Sequence, residues 1–597
     1  MEIAALYHRP ESEYAYLYKE NRLTIRLRTK RNDVKSVDLL SGDTFLLYTD
    51  HWYEDGQTMK LIASTDVHDY WEIETTINTK RLAYGFHVKG MNGTEVFYND
   101  RGYYPLEERY LKEVNYYFRM PYFQEADRIK TPEWVKETAW YQIFPERFKN
   151  GDPTNDPLNV LPWGSKEHPG QDDFYGGDLQ GIIHKLDYLK DLGINGLYLT
   201  PIFEAKTNHK YDTTDYKKID EMFGDTDTLK ILVEEAHKRG MRIMLDAVFN
   251  HIGYHSKQWQ DVLRHQEKSK YKDWFYIHSF PVDSYNELTI SEMNNMGHLD
   301  YDTFGFVGHM PKLNTSNPEV KAHLLDVATY WIREFDIDGW RLDVANEVDH
   351  QFWKAFYRAC VNEKEDFYII GEIWHSSRKW LEGDEFHAVM NYVYTEKIED
   401  FFIKKELSSS ELVEGLNQQL MLYPKQVNEV QFNILDSHDT PRILSKAKNN
   451  KKLVQSILAF MFGQQGTPCI YYGTEIGLDG FNDPDCRKCM IWDEERQDQE
   501  MLSFMKKLIA FRKKYQPFMS FGDLKWLVYP EKNEFIGFSY TLNDEKLTFY
   551  FNESEKTTRI KDQKGMPAVF SKRAEITGEH IMLEQHGFVV IEQLIAI

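Results

Sequence analysis

The segment FDIDGWRLDVANEVDH, from Phe335 to His350, has the apolar character of a buried strand but carries two opposite charges near its centre. Apolar side chains occupy alternate positions from Trp340 to Val344, and Arg341 and Asp343 lie between them. Residues i and i+2 of a β-strand point to the same side. We therefore predict that a cation and a carboxylate share one face of this strand, which makes that face a candidate functional surface.

Short apolar runs of the same kind recur between about residues 125 and 510, and segments such as LKILVEEAHKRG separate them. Those segments place apolar residues at helical spacing and charged residues on the opposite face. Eight strands that alternate with helices indicate an α/β fold, the (β/α)8 TIM barrel. The eight runs are AWYQIF, INGLYLTPIF, RIMLDAVFNH, IDGWRLDVANE, FYIIGEIW, HAVMNY, QFNILDSHDT and TPCIYYGTEIG.

The two ends of the chain show a different pattern, with period-two alternation interrupted by turn residues. Residues 1–124, which include RLTIRLRTK and LAYGFHVKG, are predicted to form an N-terminal β-sandwich. Residues 511–597, with EFIGFSYTL and GFVVIE, are predicted to form a smaller C-terminal antiparallel β-domain. Inside the barrel region of 125–510, an unusually long connection follows the third strand, so we predict an inserted subdomain at about residues 251–310.

The charge balance of the chain argues against whole classes of partner. Lys and Arg number 72 against 95 Asp and Glu, for a formal net charge of −23. Nucleic acids and anionic membrane surfaces need a basic patch, so neither is expected as the main partner. No basic segment followed by an apolar run opens the sequence, and no long apolar span follows, so we expect a cytoplasmic protein.

Four cysteines in 597 residues are too few for a disulfide scaffold. Only Cys486 and Cys489 are close together, and one C-x-x-C without a second pair or paired histidines is weak evidence for zinc. The Asn-Asp-Pro-Asp context before Cys486 is typical of a loop rather than of the helix start that a redox C-x-x-C occupies. We predict that both thiols are structural and reduced.

Polar residues interrupt several of the predicted strand ends, where the active residues of a (β/α)8 barrel lie. Taken singly, an Asp or Glu at a strand end is more often a helix cap or a solvated loop charge. A barrel, however, brings these ends to one mouth, and converging carboxylates around a neutral substrate fit glycosidic bond cleavage. The polar strand-end residues are Asp246, Asn250, His251, Arg341, Asp343, Glu372, His438 and Asp439.

The sequence also suggests which carboxylate is the nucleophile and which is the general acid. Asp343 shares a face with Arg341, whose positive charge favours the ionised carboxylate and lowers its pKa, as a nucleophile requires. Glu372 stands between the apolar residues of FYII and Ile373, a setting that keeps a proton available for donation. We therefore assign Asp343 as the nucleophile and Glu372 as the general acid and then base.

Four of these segments together resemble the signature blocks of the α-amylase family of glycoside hydrolases (family 13), in the order of that family. They are DAVFNH from Asp246, GWRLDVANE from Gly339, GEIWH from Gly371 and SHDT from Ser437. MPKLN, from Met310, resembles a fifth block of the neopullulanase, cyclomaltodextrinase and maltogenic amylase group. That group also has an N-terminal starch-binding-type β-sandwich and a segment similar to NHKYDTTDY, residues 208–216.

The resemblance implies a retaining double displacement at the barrel mouth. Asp343 would form the glycosyl-enzyme, Glu372 would be the acid and base, and Asp439 would hold the sugar through the transition state. The two working carboxyl groups of retaining enzymes are roughly 5 to 5.5 Å apart. The substrate-binding residues implied in this way are Arg341, which orients Asp343; His251 and His438 at sugar hydroxyls; Tyr211, stacked on the ring; Trp374 and Glu347 on the leaving-group side; and Asp246.

Several of these positions have plainer interpretations. Tyr211 and Trp374 could be core aromatics, and His251 and His438 could be hydrogen-bonded histidines that never touch a substrate. The chain also departs from the pattern of related sequences at two places, with His387 where an acidic residue is more usual and Asp436 where glycine also occurs. Neither departure touches the three catalytic carboxylates, so both bear on fine specificity only.

A cluster of oxygen-bearing residues after the first strand suggests a structural calcium site. Calcium takes six to eight hard oxygen ligands, and FKNGDPTNDP with FYGGDL supplies about that number. A plain Asx-turn loop is the alternative, but the same spacing is similar to the calcium loop of the group. The predicted ligands are Asn150, Asp152, Asn155, Asp156, the carbonyl of Gly176 and Asp178.

We therefore expect an enzyme that cleaves α-1,4 bonds in cyclomaltodextrins, pullulan and malto-oligosaccharides with some transglycosylation, and α-1,6 cleavage is left open. One alternative is a plain α-amylase or α-glucosidase acting on starch or linear oligosaccharides. Another is a non-catalytic carbohydrate-binding protein, although such proteins usually lose a catalytic carboxylate. The resemblance also implies a homodimer in which one N-terminal sandwich walls the partner's active site. The preferred substrate, the transfer ratio and the thermal range stay open.

Overall fold

The computed structural model describes residues 1–45, 52–53, 56–76, 79–283, 285, 288–529, 532–561, 567–578 and 580–595. Two compact units are distinguished along the chain. The first comprises Met1–Lys130, Glu396–Glu429 and Asp523–Tyr540, and the second comprises Thr131–Thr395, Val430–Gly522 and Thr541–Ile597. In the described ranges, none of the helices has both the length and the apolar character that a membrane crossing requires.

The N-terminal part of the first unit is a sandwich of two antiparallel sheets, as predicted. One sheet has the strand order β1-β2-β6-β5, and the other has the order β4-β3-β7-β8-β9 with β10 paired to β7. The elements are β1 (Ala15–Lys19), β2 (Arg22–Lys30), β3 (Val34–Gly42), β4 (Gln57–Thr58), β5 (Lys60–Ser64), β6 (His68–Thr76), β7 (Leu82–Gly90), β8 (Glu95–Asn99), β9 (Gly102–Tyr104), helix α1 (Glu108–Leu111) and β10 (Phe118–Met120).

Period-two alternation builds the core of this sandwich. Leu23, Ile25 and Leu27 of β2 are fully buried and pack in one apolar cluster with Phe86 and Val88 of β7, which lies in the other sheet. Because alternate residues of a strand point to one side, each sheet contributes one apolar face. The prediction of a β-sandwich is thus confirmed.

Later parts of the chain complete this first unit through polar contacts. They include helices α11 (Ser409–Met421) and α12 (Lys425–Asn428) and strand β21 (Asp523–Val528). The guanidinium of Arg26, on β2, is buried, lies 2.6 Å from a carboxylate oxygen of Glu72 and donates to the carbonyl of Tyr423 at 3.0 Å. The indole of Trp526 donates to Asn417 at 2.9 Å. Residues from three distant parts of the sequence therefore share one folded unit.

The second unit contains the predicted barrel. Its eight-stranded parallel sheet has the order β18-β17-β16-β15-β12-β11-β20-β19, and a parallel bridge between Met390 and Phe432 links its two outer ends. Each of the eight apolar runs supplies one strand. The strands are β11 (Trp140–Ile143), β12 (Gly196–Leu199), β15 (Arg242–Ala247), β16 (Gly339–Leu342), β17 (Tyr368–Gly371), β18 (Ala388–Val389), β19 (Phe432–Asn433) and β20 (Thr467–Tyr471).

Helices separate the barrel strands and begin at residues suited to capping. Asp178, Asn317 and Asp349 each accept a backbone N–H in the first turn of the following helix, which satisfies donors that the helix leaves unpaired. The helices are α2 (Glu133–Lys136), α3 (Pro145–Phe148), α4 (Leu179–Leu192), α5 (Thr226–Lys238), α6 (Lys257–His265), α7 (Ile290–Met296), α8 (Pro318–Phe335), α9 (His350–Glu363), α10 (Tyr392–Ile398), α13 (Ile443–Lys446), α14 (Lys451–Phe462) and α15 (Gln499–Phe521).

Two excursions extend the barrel. After β12 comes an antiparallel hairpin of β13 (Phe203–Ala205) and β14 (Thr213–Ile219). The long connection after β15 contains α6 and α7 and is tied together by short bridges, such as Phe275 with Leu313 and Ile277 with Tyr301. This connection corresponds to the predicted insertion.

A six-stranded sheet follows the barrel, as the alternating pattern predicted. Its long strand β26 (His580–Leu594) pairs antiparallel with β23 (Glu545–Asn552), β24 (Thr558–Lys561) and β25 (Ala568–Thr577). The remaining strands of the sheet are β21 and β22 (Phe535–Leu542). The TIM barrel with flanking β-domains is therefore confirmed.

Candidate active site

Arg341 is the centre of the polar cluster at the barrel mouth. Strands β15 and β16 pair so that Asp246 lies opposite Arg341, whose side chain is fully buried. One terminal nitrogen of the guanidinium, Nη1, is 2.8 Å from Asp343 and 3.1 Å from Asp246, and the other, Nη2, is 3.1 Å from Glu372. The predicted pairing of Arg341 with Asp343 is present, but the same cation also holds two further carboxylates.

The backbone turns sharply immediately after the nucleophile candidate. Strand β16 ends at Leu342, so Asp343 lies just beyond the strand on which the sequence pattern placed it, and the N–H of Asp343 donates to the carbonyl of Ala247 at 3.0 Å. Val344 has φ 46° and ψ 42°, a left-handed conformation that a β-branched residue rarely adopts. Its N–H donates to Oε2 of Glu372 at 3.0 Å. This turn therefore aims a backbone donor at the acid and base candidate.

Glu372 lies in a more polar setting than its apolar neighbours in the sequence suggest. Its side chain is buried, yet Oε1 accepts a hydrogen bond from the indole of Trp374 at 3.1 Å. Oε2 receives the Val344 N–H and lies beside Arg341. The expectation of an apolar pocket around this carboxyl is therefore wrong, because the neighbouring strand and the following loop supply donors that the local sequence does not reveal.

The shared cation does not compensate for the burial of three carboxylates. Burial raises the pKa of Asp343 well above its ordinary value, with Arg341 opposing the shift and the charges of Glu372 and Asp246 adding to it. Burial likewise raises the pKa of Asp246 to about 6, against the effect of Arg341. Arg341 lowers the pKa of Asp343, as predicted, but burial and the two neighbouring carboxylates outweigh this effect, so the net pKa is raised.

Tyr211 and His438 form a stacked pair against this cluster. Their rings are nearly parallel, with an angle of 5° and centroids 5.3 Å apart. The Tyr211 hydroxyl donates to Asp246 at 3.0 Å and lies 2.5 Å from Nε2 of His438. The amide of Gln142 donates to Nδ1 of His438 at 2.7 Å, so the imidazole proton lies on Nε2. Burial lowers the pKa of His438, and this ring is therefore a neutral donor.

Asp439, the third predicted catalytic carboxylate, lies beside a cation that the sequence did not identify. One carboxylate oxygen is 3.4 Å from Arg487 and the other is 3.1 Å from Nε2 of His438. Arg487 also pairs with Asp483 at 2.8 Å and donates to the carbonyl of His438 at 2.9 Å. Its position, in the loop after the last strand and next to Cys486, was the only signal for this role.

The remaining predicted aromatic and histidine positions lie around the same cluster. His251 is buried, its Nε2 is 3.1 Å from the carbonyl of Tyr211, and its ring stacks on Phe304 at 5.1 Å. Trp374 is 50% exposed and stacks on Tyr392 with centroids 3.6 Å apart, so it is not a core aromatic. Phe304 and Tyr392 were not predicted from the sequence.

Glu347 lies on the outer side of the mouth. Its carboxylate is exposed and is 3.4 Å from the ammonium of Lys312. Lys312 belongs to the MPKLN segment, and that segment alone gave a signal for it in the sequence.

The barrel and the N-terminal sandwich are matched by family models that together cover most of the chain. Residues 142–520 match the model described as "Alpha amylase, catalytic domain", and residues 1–124 match "Alpha amylase, N-terminal ig-like domain". The chain belongs to the α-amylase family. It is thus a member of a family of glycoside hydrolases, as the four signature blocks predicted.

Individual relatives within the α-amylase family match almost the full chain. "Intracellular maltogenic amylase" of Bacillus subtilis is 53% identical over 560 residues, which cover 94% of this chain and 92% of that protein. "Neopullulanase 2" of Thermoactinomyces vulgaris is 41% identical over 561 residues, with 94% and 92% covered. A solved structure named "Cyclomaltodextrinase" is 41% identical, covers 99% of this chain and 100% of its own, and superposes with a TM-score of 0.90.

The two departures from the pattern of related sequences serve the scaffold of the barrel. His387 is buried, and its Nδ1 accepts the N–H of Ile369 at 3.0 Å. Asp436 is also buried and accepts the N–H of Ile443 at 2.8 Å.

Cys486 and Cys489 are buried and form no disulfide, and the thiol of Cys486 donates to the carbonyl of His438 at 3.2 Å.

The predicted calcium residues form a compact polar loop in this α-amylase-family chain. Asp178 holds the loop together by accepting the backbone N–H groups of Gly151 and Asp152 at 3.0 and 2.8 Å. Gly176 has φ +79°, and a Cβ there would lie 2.1 Å from a carboxylate oxygen of Asp156, so only glycine fits. The side-chain oxygens Oδ1 of Asn150 and Asn155 are buried without a hydrogen-bond partner among the described residues.

Such unpaired oxygens fit a hard cation, since a buried acceptor without a partner is costly. The described residues contain no group of three or more His, Cys, Asp and Glu side chains arranged to hold a metal ion. The fit therefore depends on amide and carbonyl oxygens in addition to the carboxylates.

Proposed function

We propose that this α-amylase-family chain is a retaining α-glucan hydrolase that cleaves α-1,4 bonds in cyclomaltodextrins, pullulan and malto-oligosaccharides and also transfers glycosyl groups. The observation that carries the proposal is the placement of Asp343 and Glu372 on the two terminal nitrogens of one guanidinium. The names of the relatives support the substrate class. Cleavage of α-1,6 bonds is the part of the proposal that the pullulan assay below addresses.

In the proposed mechanism, Asp343 attacks the anomeric carbon while Glu372 protonates the departing glycosidic oxygen. The Glu372 carboxyl is held in place because the Trp374 indole and the Val344 N–H bind its two oxygens. A water molecule then attacks the glycosyl-enzyme, and Glu372 takes its proton. Another sugar hydroxyl in place of water gives transglycosylation.

The other residues of the site hold the sugar during these steps. Asp439 accepts hydroxyl groups of the ring that reacts, and the neutral imidazoles of His438 and His251 bind further hydroxyls. The Tyr211 ring, fixed by its stack on His438, supports the apolar face of that sugar. On the leaving-group side, the half-exposed Trp374 and the exposed Glu347 meet the next residue of the glucan.

The proposed mechanism is tested with Asp343→Asn and Glu372→Gln, assayed on β-cyclodextrin. Each change keeps the side-chain size, so we expect loss of more than about a thousandfold in kcat/KM, in the range of removing a reacting group. Asp384→Asn, which alters a surface carboxylate paired with Lys354, is the control and should match the unmodified enzyme. Proton NMR of the first product should show the α-anomer; a β-anomer, or substantial activity in either variant, would overturn the mechanism.

The proposed substrate class is tested by comparing initial rates on β-cyclodextrin, pullulan and soluble starch. We expect cyclodextrin to be hydrolysed fastest per unit mass. A plain α-amylase would prefer starch strongly, and an α-glucosidase would release glucose from chain ends of linear oligosaccharides. Either of those outcomes would replace the proposal.

We also propose that the loop of Asn150 to Asp156, with Gly176 and Asp178, binds calcium as a structural ion. Bound calcium would join the two ends of the connection between β11 and α4 through oxygen ligands and take no part in bond cleavage. A ligand present at 100 times its Kd stabilises a fold by about 2.7 kcal/mol. Calcium should therefore raise the melting temperature of chelator-treated protein and magnesium should not. An unchanged melting temperature would refute the site.

A cytoplasmic homodimer completes the proposal. The Bacillus subtilis relative is named as an intracellular enzyme, which supports a cytoplasmic location. Fractionation of cells that express the chain from its own gene tests this location. For the dimer, sedimentation at micromolar concentration should give about twice the mass of 71.0 kDa. A monomer over the whole concentration range would contradict it.

A further inference from the structure

The MPKLN segment runs beside the residues that follow β15. The N–H of Leu313 donates to the carbonyl of Asn250 at 3.0 Å, and the N–H of Ile252 donates to Pro311 at 3.1 Å. These bonds place Lys312 directly opposite His251 in an antiparallel bridge. The side chain of Lys312 therefore enters the site at a fixed position.

The ammonium group of Lys312 has three hydrogens and contacts three acceptors. It donates to Oδ1 of Asn250, to the carbonyl of Glu347 at 2.9 Å and to the carboxylate of Glu347 at 3.4 Å. The side chain is only 17% exposed. An ammonium donates and never accepts, so the amide oxygen of Asn250 must face Lys312.

The orientation of that amide determines which nitrogen of His251 carries the proton. With its oxygen facing Lys312, Asn250 presents its Nδ2 to Nδ1 of His251 at 3.3 Å, and Nδ1 must accept. The other ring nitrogen, Nε2, lies 3.1 Å from the carbonyl of Tyr211, which can only accept. The proton therefore lies on Nε2. Burial lowers the pKa of His251 to about 3, so the ring has a single proton to place.

We propose that Lys312 is a positioning residue, which sets the tautomer and direction of His251 through the amide of Asn250 and thereby fixes the backbone of Tyr211. The inference rests on the proposed function, in which His251 and Tyr211 hold the reacting sugar. Because Lys312 also holds Glu347, one ammonium links the two sides of the cleavage point.

Two variants separate the proposed positioning role of Lys312 from a purely structural one. Lys312→Met nearly keeps the length of the side chain but removes the ammonium donors, so the Asn250 amide is free to turn. Asn250→Asp keeps an acceptor for Lys312 and adds an ion pair, yet it cannot donate to His251. If Lys312 served only to neutralise or to pack, Asn250→Asp would retain activity.

We expect each variant to lower kcat/KM on β-cyclodextrin about ten- to hundredfold, mainly through kcat. Because both changes break the same chain of contacts, the double variant should be no less active than the less active of the two single variants. Lys312→Arg, which restores a donor, should be more active than Lys312→Met. Lys354→Met, which removes another partly buried lysine paired with a carboxylate, is the control for loss of a cation and should keep full activity. Circular dichroism checks that every variant is folded.

A direct measurement of the tautomer completes the test. In protein labelled with 15N at histidine, magic-angle-spinning NMR should show His251 Nδ1 as a non-protonated nitrogen, assigned by its absence in His251→Gln. In Asn250→Asp that signal should move to the protonated position. An unmodified enzyme without hydrolytic activity would defeat the proposed function. Activity in that enzyme together with an active Asn250→Asp variant, or a protonated Nδ1 in the unmodified enzyme, would overturn this inference alone.

Discussion

Replacement of Arg341 by methionine should destabilise the barrel in a strongly pH-dependent way. The side chain is fully buried and lies within hydrogen-bonding distance of Asp246, Asp343 and Glu372. Removing one partner of a buried ion pair typically costs about 3–5 kcal/mol, because the remaining charge has no compensation. The variant can reduce that cost by keeping its carboxyl groups protonated, and this sets the pH dependence.

The magnitude follows from Asp246, whose pKa burial raises to about 6. At pH 8, about two pH units above that value, keeping this carboxyl protonated in the variant costs roughly 3 kcal/mol relative to the ionised form in the unmodified protein. At pH 5 the unmodified protein already carries the proton, so this part of the loss vanishes. We therefore expect a destabilisation of about 3–5 kcal/mol at pH 8 and about 2–3 kcal/mol less at pH 5.

The direction can be checked in the unmodified protein as well. A carboxyl whose pKa is higher in the folded than in the unfolded state stabilises the fold at low pH, and that contribution is lost as the pH rises through the folded pKa. The stabilising contribution of Asp246 should therefore be lost as the pH rises from about 4, its ordinary pKa, to about 6, its pKa in the folded protein.

Urea denaturation at pH 5 and pH 8, followed by tryptophan fluorescence, measures both effects. Arg442→Met is the matched control, because Arg442 is also buried but donates to the carbonyls of Cys486 and Tyr472. Its loss should depend much less on pH than the loss of Arg341, because Arg442 lowers the pKa of one buried carboxyl, Asp436, whereas Arg341 contacts three. The reasoning would be refuted if Arg341→Met were equally destabilising at both pH values, or if Arg442→Met showed the same pH dependence.

Three further substitutions test single contacts. Tyr211→Phe keeps the ring but loses the bond to Asp246, worth about 1.5–3 kcal/mol, so kcat/KM on β-cyclodextrin should fall about ten- to hundredfold. Val344→Gly relieves a left-handed residue that costs about 1–2 kcal/mol, so urea unfolding should show a loss below about 1 kcal/mol; a larger loss contradicts the strain. Trp374→Ala removes a half-exposed ring and the indole donor that holds Glu372, so KM should rise and kcat should fall while the melting temperature stays constant; a lowered melting temperature indicates a packing role.

The barrel and its strand-end residues were predictable because both follow from local pattern and topology. Apolar runs that alternate with helical segments specify parallel strands, and parallel strands bring their carboxyl ends together. The segment GWRLDV therefore placed Arg341 and Asp343 at the mouth, and FYIIGE placed Glu372 beside them. A sequence interval of two residues is enough to predict a shared face.

The electrostatics of the site were less predictable, since they depend on contacts between distant segments. Nothing near Arg341 in the sequence indicates that Asp246, 95 residues away, competes with Asp343 for the same guanidinium. Arg487 reaches Asp439 from a separate loop. The left-handed turn at Val344 is equally hidden, because a β-branched residue gives no local signal for that conformation. Burial and these long-range charges together set the pKa values of Asp343, Asp246 and Asp439.

The composition of the first folded unit has a consequence for synthesis. Arg26, on the second strand of the chain, is buried against Glu72 and the carbonyl of Tyr423, and the unit also needs the segment Asp523–Tyr540. Roughly 300 residues separate Lys130 from Glu429, and at about 5–20 residues per second the ribosome needs about 15 to 60 s to make them. During that time the nascent sandwich carries a cation and a carboxylate whose surroundings are incomplete. Chaperone crosslinking of stalled nascent chains should therefore be strongest before residue 430 emerges.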